Sequence, residues 1–195
     1  MFWMVASLIG GVAFGFARRG SLSNLGRMVL RGTWMVWAGL GLQIVAFSRI
    51  GAAWPEWGRT VAHLGSYCFL AWFGWVNQRA PGLRIFVMGM VANILVIGAN
   101  GGYMPVSAQA LHRAGLDRVA EQLQKAEAAN NSVLMGPSTH LKWLGDVFAL
   151  PKGFPLANVF SVGDVLMGFA LLLLISQGMV GRGWLGKKRQ RARRS

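Results

Sequence analysis

Long apolar runs divided by short basic stretches dominate this 195-residue chain. They fall at about 2–17, 33–48, 60–76, 85–99 and 159–180. Crossing ~30 Å of hydrocarbon at ~1.5 Å per residue takes ~20 mostly apolar residues, and these runs approach that length. Backbone amides in a bilayer have no water to bond, so such runs must be helical. The predicted fold class is an all-α integral membrane protein of about five transmembrane helices, in a single membrane domain over residues 1–180. Only 13% of residues are charged, about half the share in soluble domains.

Lys and Arg set the expected orientation, because basic loops are retained on the cytoplasmic side. Segments 18–32, 77–84 and 181–195 hold thirteen basic residues and no acidic one. The opposite segments, 49–59 and 100–158, hold seven basic residues and five of the six acidic ones. The N-terminus and the long loop 100–158 are therefore expected outside, and the C-terminus in the cytoplasm of a bacterial inner membrane. The opening "MFWMVAS" has no basic stretch, and Arg18 and Arg19 follow the apolar run. A secretory signal has the reverse order, so the run is read as an uncleaved first span.

A net charge of +14 would suit nucleic acid, but the basic residues flank apolar runs, so the expected partner is the bilayer and no nucleic acid. The tail residues Lys187, Lys188, Arg189, Arg191, Arg193 and Arg194 suit anionic headgroups, at about 1 kcal/mol per basic residue near the surface. They serve equally as a topology anchor. The single cysteine, Cys68, lies in an apolar run, where such residues act as small hydrophobes. No cofactor motif and no metal-ligand spacing is present, so neither is expected. Gly11 and Gly15, with Gly39 and Gly41, allow close helix approach, within a bundle or between two copies.

The outer loop contains an amphipathic stretch after Ser107, a candidate N-cap. Leu111, Leu116, Val119 and Leu123 share one face, and Gly115 interrupts the run. This predicts one surface helix or a pair of short ones, against the bilayer or the bundle. The prolines at 137, 151 and 155 then suggest a re-entrant or hairpin-like path into the last helix.

Four of the polar residues inside the runs lie at a similar depth: Gln43, His63, Asn93 and Asp164. At ~1.5 Å per residue all four come roughly 5–9 Å below the outer surface. Ionisable groups in a membrane are costly and usually line an interior cavity. A shared outward-facing pocket is therefore expected, with Asn100 at its rim and Asp146 closing over it. The candidate catalytic pair is Asp146 and Asp164, eighteen positions apart, with His63 assisting. Against this stands the plainer reading that Asp164 caps the start of its helix and that Gln43 and Asn93 only bond between helices.

The stretches "ANGGYMPVS" (99–107), "LGDV" (144–147) and "VFSVGDVL" (159–166) resemble a family of short bacterial polytopic membrane proteins, catalogued as a domain of unknown function. That resemblance implies about five spans and supplies no activity. "LGDVF" and "FSVGD" also resemble the layout of the lipoprotein signal peptidases, membrane aspartyl proteases whose second Asp opens their last outside-to-inside helix. It implies an aspartyl-protease-like reaction at the outer face, with Asp146 and Asp164 as acid and base. Those peptidases carry Asn three positions before the second Asp, where this chain has Ser161. A small proton- or cation-coupled transporter and a membrane scaffold subunit are the other functions compatible with the sequence.

Overall fold

The computed structural model describes residues 2–125, 128–129, 131–154 and 157–181. The headgroup candidates Lys187, Lys188, Arg189, Arg191, Arg193 and Arg194 lie outside the described residues. Five long helices form a bundle: α1 (Phe2–Ala17), α3 (Trp34–Ala46), α5 (Glu56–Val76), α6 (Leu83–Ala99) and α9 (Val162–Val180). Two short helices, α2 (Leu22–Gly26) and α4 (Arg49–Ala52), sit in the connections. Among the described residues α9 alone is both long and apolar enough to cross a membrane, while Trp3–Ala17, Trp34–Ala46 and Leu83–Ala99 are shorter apolar helices.

The helices pack in the order α1–α9–α6–α5–α3. Glycines set the closest approaches. A Cβ at Gly15 would stand 2.5 Å from Met179 Sδ, and one at Gly11 3.2 Å from the Leu172 backbone. The small face of α1 therefore receives α9 of the same chain. Gly39 meets the Ser66 carbonyl across α3 and α5 in the same way, whereas Gly41 meets nothing. At one end Asn77 exchanges two 2.8 Å bonds with the Arg31 backbone, and Ser21 N donates to Met179 O at 2.9 Å. Arg18, Arg19, Arg27, Arg31 and Arg79 belong to the connections at this end, and Arg84 to the first turn of α6.

The other end carries a structure that the all-α reading did not foresee. Strands β1 (Met104–Val106), β2 (Ala128–Ala129), β3 (Ser132–Leu134), β4 (Asp146–Ala149) and β5 (Val159–Ser161) form a mixed sheet in the order β2-β3-β1-β4-β5. β1 runs parallel to both β3 and β4. The crossover from β1 to β3 contains α7 (Ala108–Arg113) and α8 (Asp117–Lys125), the length of connection that parallel pairing requires. Residues 159–161, read from sequence as the start of the last helix, are instead the edge strand β5.

Ser107 caps α7 as expected, accepting from Ala110 N at 3.3 Å. Gly115, at φ +69°, separates α7 from α8, so the amphipathic stretch is two short helices. Their apolar face covers the sheet: Leu111 and Leu123 pack with Val106, joined by Leu116, Leu134 and Val159. Pro105 occupies the central strand, a position proline usually avoids because it has no N–H to donate. It is accommodated because β4 pairs with β1 only at Val106↔Asp146.

Candidate functional site

The stretch Ser161-Val162-Gly163-Asp164 turns the edge strand into α9. Ser161 is the N-cap: its Oγ accepts from Asp164 N at 3.0 Å, and Asp164 Oδ2 accepts from Ser161 N at 3.1 Å. This reciprocal capping box satisfies two amides that a helix start otherwise leaves open. Asp164 is thus the third residue of its helix, nearer the end than the apolar run suggests.

The second half of the network comes from α6. Asn93, fully buried, donates through Nδ2 to Asp164 Oδ1 at 3.1 Å and accepts from Ser161 Oγ at 3.0 Å. Gly89 and Gly163 make this possible, since a Cβ at Gly163 would stand 2.0 Å from Asn93 Oδ1 and 2.7 Å from Gly89 O. Ser161→Ala is expected to cost about 2 to 3 kcal/mol in an unfolding experiment, because it removes the cap and leaves Asn93 Oδ1 buried without a partner. A double-mutant cycle with Asn93→Ala should return a coupling of about 1 kcal/mol or more.

Asp146 begins β4, opposite Ser161 across the antiparallel pair and opposite Val106 across the parallel one. Its backbone carbonyl accepts from Ser107 N at 3.0 Å. The residue is partly exposed, yet its Oδ1 is buried with no hydrogen-bond partner. Burial, and then the charge of Asp164, push the Asp146 carboxyl up to about 7. The two aspartates therefore share one electrostatic neighbourhood. No hydrogen bond joins them among the described residues.

Under the sheet, between the helices, lies a cavity of about 340 Å³. Leu40, Leu70, Met90 and Met167 form apolar wall, while Gln43, Tyr67, Asn158 and Asp164 supply polar groups. Trp3 of α1 lines it too, stacked on Phe160 of β5 at 5.4 Å between ring centroids. Phe160 in turn stacks on Phe148 at 5.6 Å. The cavity spans the two ends of the helix arc, since α1 and α3 both contribute to its wall.

The expected polar belt thus divides. Gln43 and Asp164 face the cavity, and Asn93 fixes Asp164 from behind. His63, buried in α5, packs edge-on against Phe47 at 5.0 Å and Tyr67 at 5.3 Å. It lines a separate crevice with Glu56, Arg59 and Tyr103. Asn100 is a clamp between bundle and cap: it donates to His140 O and accepts from His140 N, both at 2.9 Å. Asp146 is not among the residues lining the cavity.

Four participants escaped the sequence reading: Ser161, Tyr67, Asn158 and Trp3. The Ser-x-x-Asp spacing of the capping box was a usable signal for Ser161. The other three have no local signature. Among the described residues no group of three or more His, Cys, Asp or Glu side chains could hold a metal ion.

The sequence profile of a family of unknown function, DUF5317, matches residues 27–176. The chain belongs to DUF5317. The DUF5317 region takes in the whole cap, the capping box and Asn93, together with all three stretches that carry the resemblance noted above. It begins after α1, so Trp3 and Met4 of the cavity wall come from outside it. No curated protein and no solved structure matches the chain.

Proposed function

We propose that this DUF5317 protein is a multi-pass protein of a bacterial cell membrane, and that it binds a small amphipathic molecule in the cavity beneath its outer cap. Large apolar side chains on the outward faces of the five helices support the membrane setting. Ile9, Phe14, Trp37, Ile44, Trp72, Leu95 and Phe169 are all exposed, and so broad an apolar surface is unfavourable in water. The connections at one end, basic with no acidic residue, and the mixed charge of the cap at the other support an N-terminus on the outer side.

The observation that carries the binding reading is the cavity itself. At about 340 Å³ it falls in the lower part of the ~300–1,000 Å³ range of small-molecule sites. Its lining combines mostly apolar walls with a few polar groups at the cap end, which is the division an amphiphile needs. The aspartyl-protease reading asks for two carboxylates facing one substrate. Here Asp164 alone faces the space, with both its oxygens engaged by Ser161 and Asn93, so binding is favoured over peptide cleavage.

The test uses the purified full chain in lipid nanodiscs with a dansyl-labelled alkyl probe. Leu70→Trp and Met90→Trp each fill the cavity from a helix interior. Both are expected to weaken saturable probe binding at least tenfold while the protein still melts cooperatively. Equal binding by the filled variants would overturn the reading.

A further inference from the structure

We infer that the amphiphile bound in this cavity carries a cationic head, an amine or quaternary ammonium group, seated against Asp164. The inference rests on the binding reading above and names the chemical class of its ligand.

Charge comes first. The chain has 20 Lys and Arg against 6 acidic residues, yet among the described residues no basic side chain lines the cavity and one carboxylate does. Within low-dielectric walls a single unpaired charge dominates recognition. An anionic head would meet Asp164 with no basic side chain beside it among the described residues. A neutral head would leave Asp164 without a charge partner.

Coordination comes second. An ionised carboxylate offers about four acceptor positions, and Ser161 N and Asn93 Nδ2 take one on each oxygen. Among the described residues no other donor takes the remaining positions, which leaves them to a donor arriving from the cavity. The two protein bonds hold the carboxylate in one orientation, so little rotational freedom is lost when the head binds.

Aromatic surface comes third. The rings of Trp3, Tyr67 and Phe160 line the same space as Asp164. Aromatic faces attract ammonium groups, most strongly when these are desolvated. Gln43 and Asn158 add carbonyl oxygens able to accept from an amine. At ~30 Å³ per water-sized group, the space takes a head and a short chain, not a whole two-chain lipid.

Octyltrimethylammonium, octylamine, octanol and octanoate share one chain length and differ in the head. They would be titrated against the dansyl probe on the full chain in zwitterionic nanodiscs, with Leu70→Trp as the correction for partitioning into lipid. The expected order is the two cations at least tenfold tighter than octanol, and octanoate weakest. Asp164→Asn should remove the preference. Because Asp164 also caps α9, Gln43→Lys provides an independent arm: it puts a cation on the opposite wall and should abolish cation binding while admitting octanoate. Equal competition by the cations and octanol would overturn the charge inference and leave the cavity reading standing. Competition unaffected by Leu70→Trp, whatever the head, would overturn both.

Discussion

Replacing Gly163 with alanine is expected to destabilise the protein by about 3 kcal/mol or more, beyond an ordinary overpacking cost. The new methyl would stand 2.0 Å from Asn93 Oδ1 and 2.7 Å from Gly89 O. Neither neighbour can move freely. Asn93 is held by Ser161 and Asp164 at once, and Gly89 is helical backbone. Relief requires α6 and α9 to separate, which also breaks the Asn93–Asp164 bond. The readouts are folded yield and thermal midpoint in nanodiscs. Gly41→Ala is the control, since a Cβ there meets nothing within 4 Å. Equal midpoints for the two variants would show that the α6–α9 contact is looser than the geometry indicates.

Asp146 supplies the second large effect, and it depends on pH. Burial and the nearby Asp164 charge raise its carboxyl from the ordinary 3.8 to about 7. Between those values the folded protein keeps a proton that the unfolded chain has released. Stability therefore falls as pH rises through this window and levels off above it. At ~1.4 kcal/mol per pH unit the fall amounts to at most roughly 4 kcal/mol. The other charged or titratable side chains on elements packed against β4 are His112 and Arg113 of α7 and Lys142 of the turn before it, all exposed. Asp146→Asn should flatten the profile and leave the protein more stable than the parent at pH 8, with little difference at pH 4. A parent profile flat from pH 4 to 8 would refute this account.

The helices were legible in the sequence because each is a local object. An apolar run of the right length fixes its own backbone bonding, and the predicted 2–17 agrees with α1 at both ends. Ser107 was legible as a cap for the same reason. The strands were not legible, because two to four residues carry no period and their partners are distant. Met104 pairs with Ser132 and Asp146 with Ser161, and no local period links the two members of either pair. The amphipathic face of α7 and α8 was visible, but what it covers is a sheet assembled from five other segments.

The candidate site shows the same division. Sequence placed Asp164 at a helix start and gave Gln43 and Asn93 similar depths, since ~1.5 Å per residue converts position into height. Depth says nothing of azimuth. Packing turned Gln43 and Asp164 toward one cavity, set Asn93 behind the carboxylate and sent His63 to another crevice. Both readings of Asp164 describe the same residue: it caps α9 and it faces the cavity.

By itself, then, the sequence determined the five long helices, the Ser107 cap and the difference in charge between the two ends of the bundle, all properties of neighbours along the chain. Only the tertiary structure decided that α1 closes on α9 through Gly11 and Gly15, that a five-stranded sheet roofs the bundle, and that one aspartate faces a cavity while the other begins a strand of that sheet. Those outcomes depend on contacts between segments tens of residues apart, whose geometry is set by the fit of side chains in three dimensions.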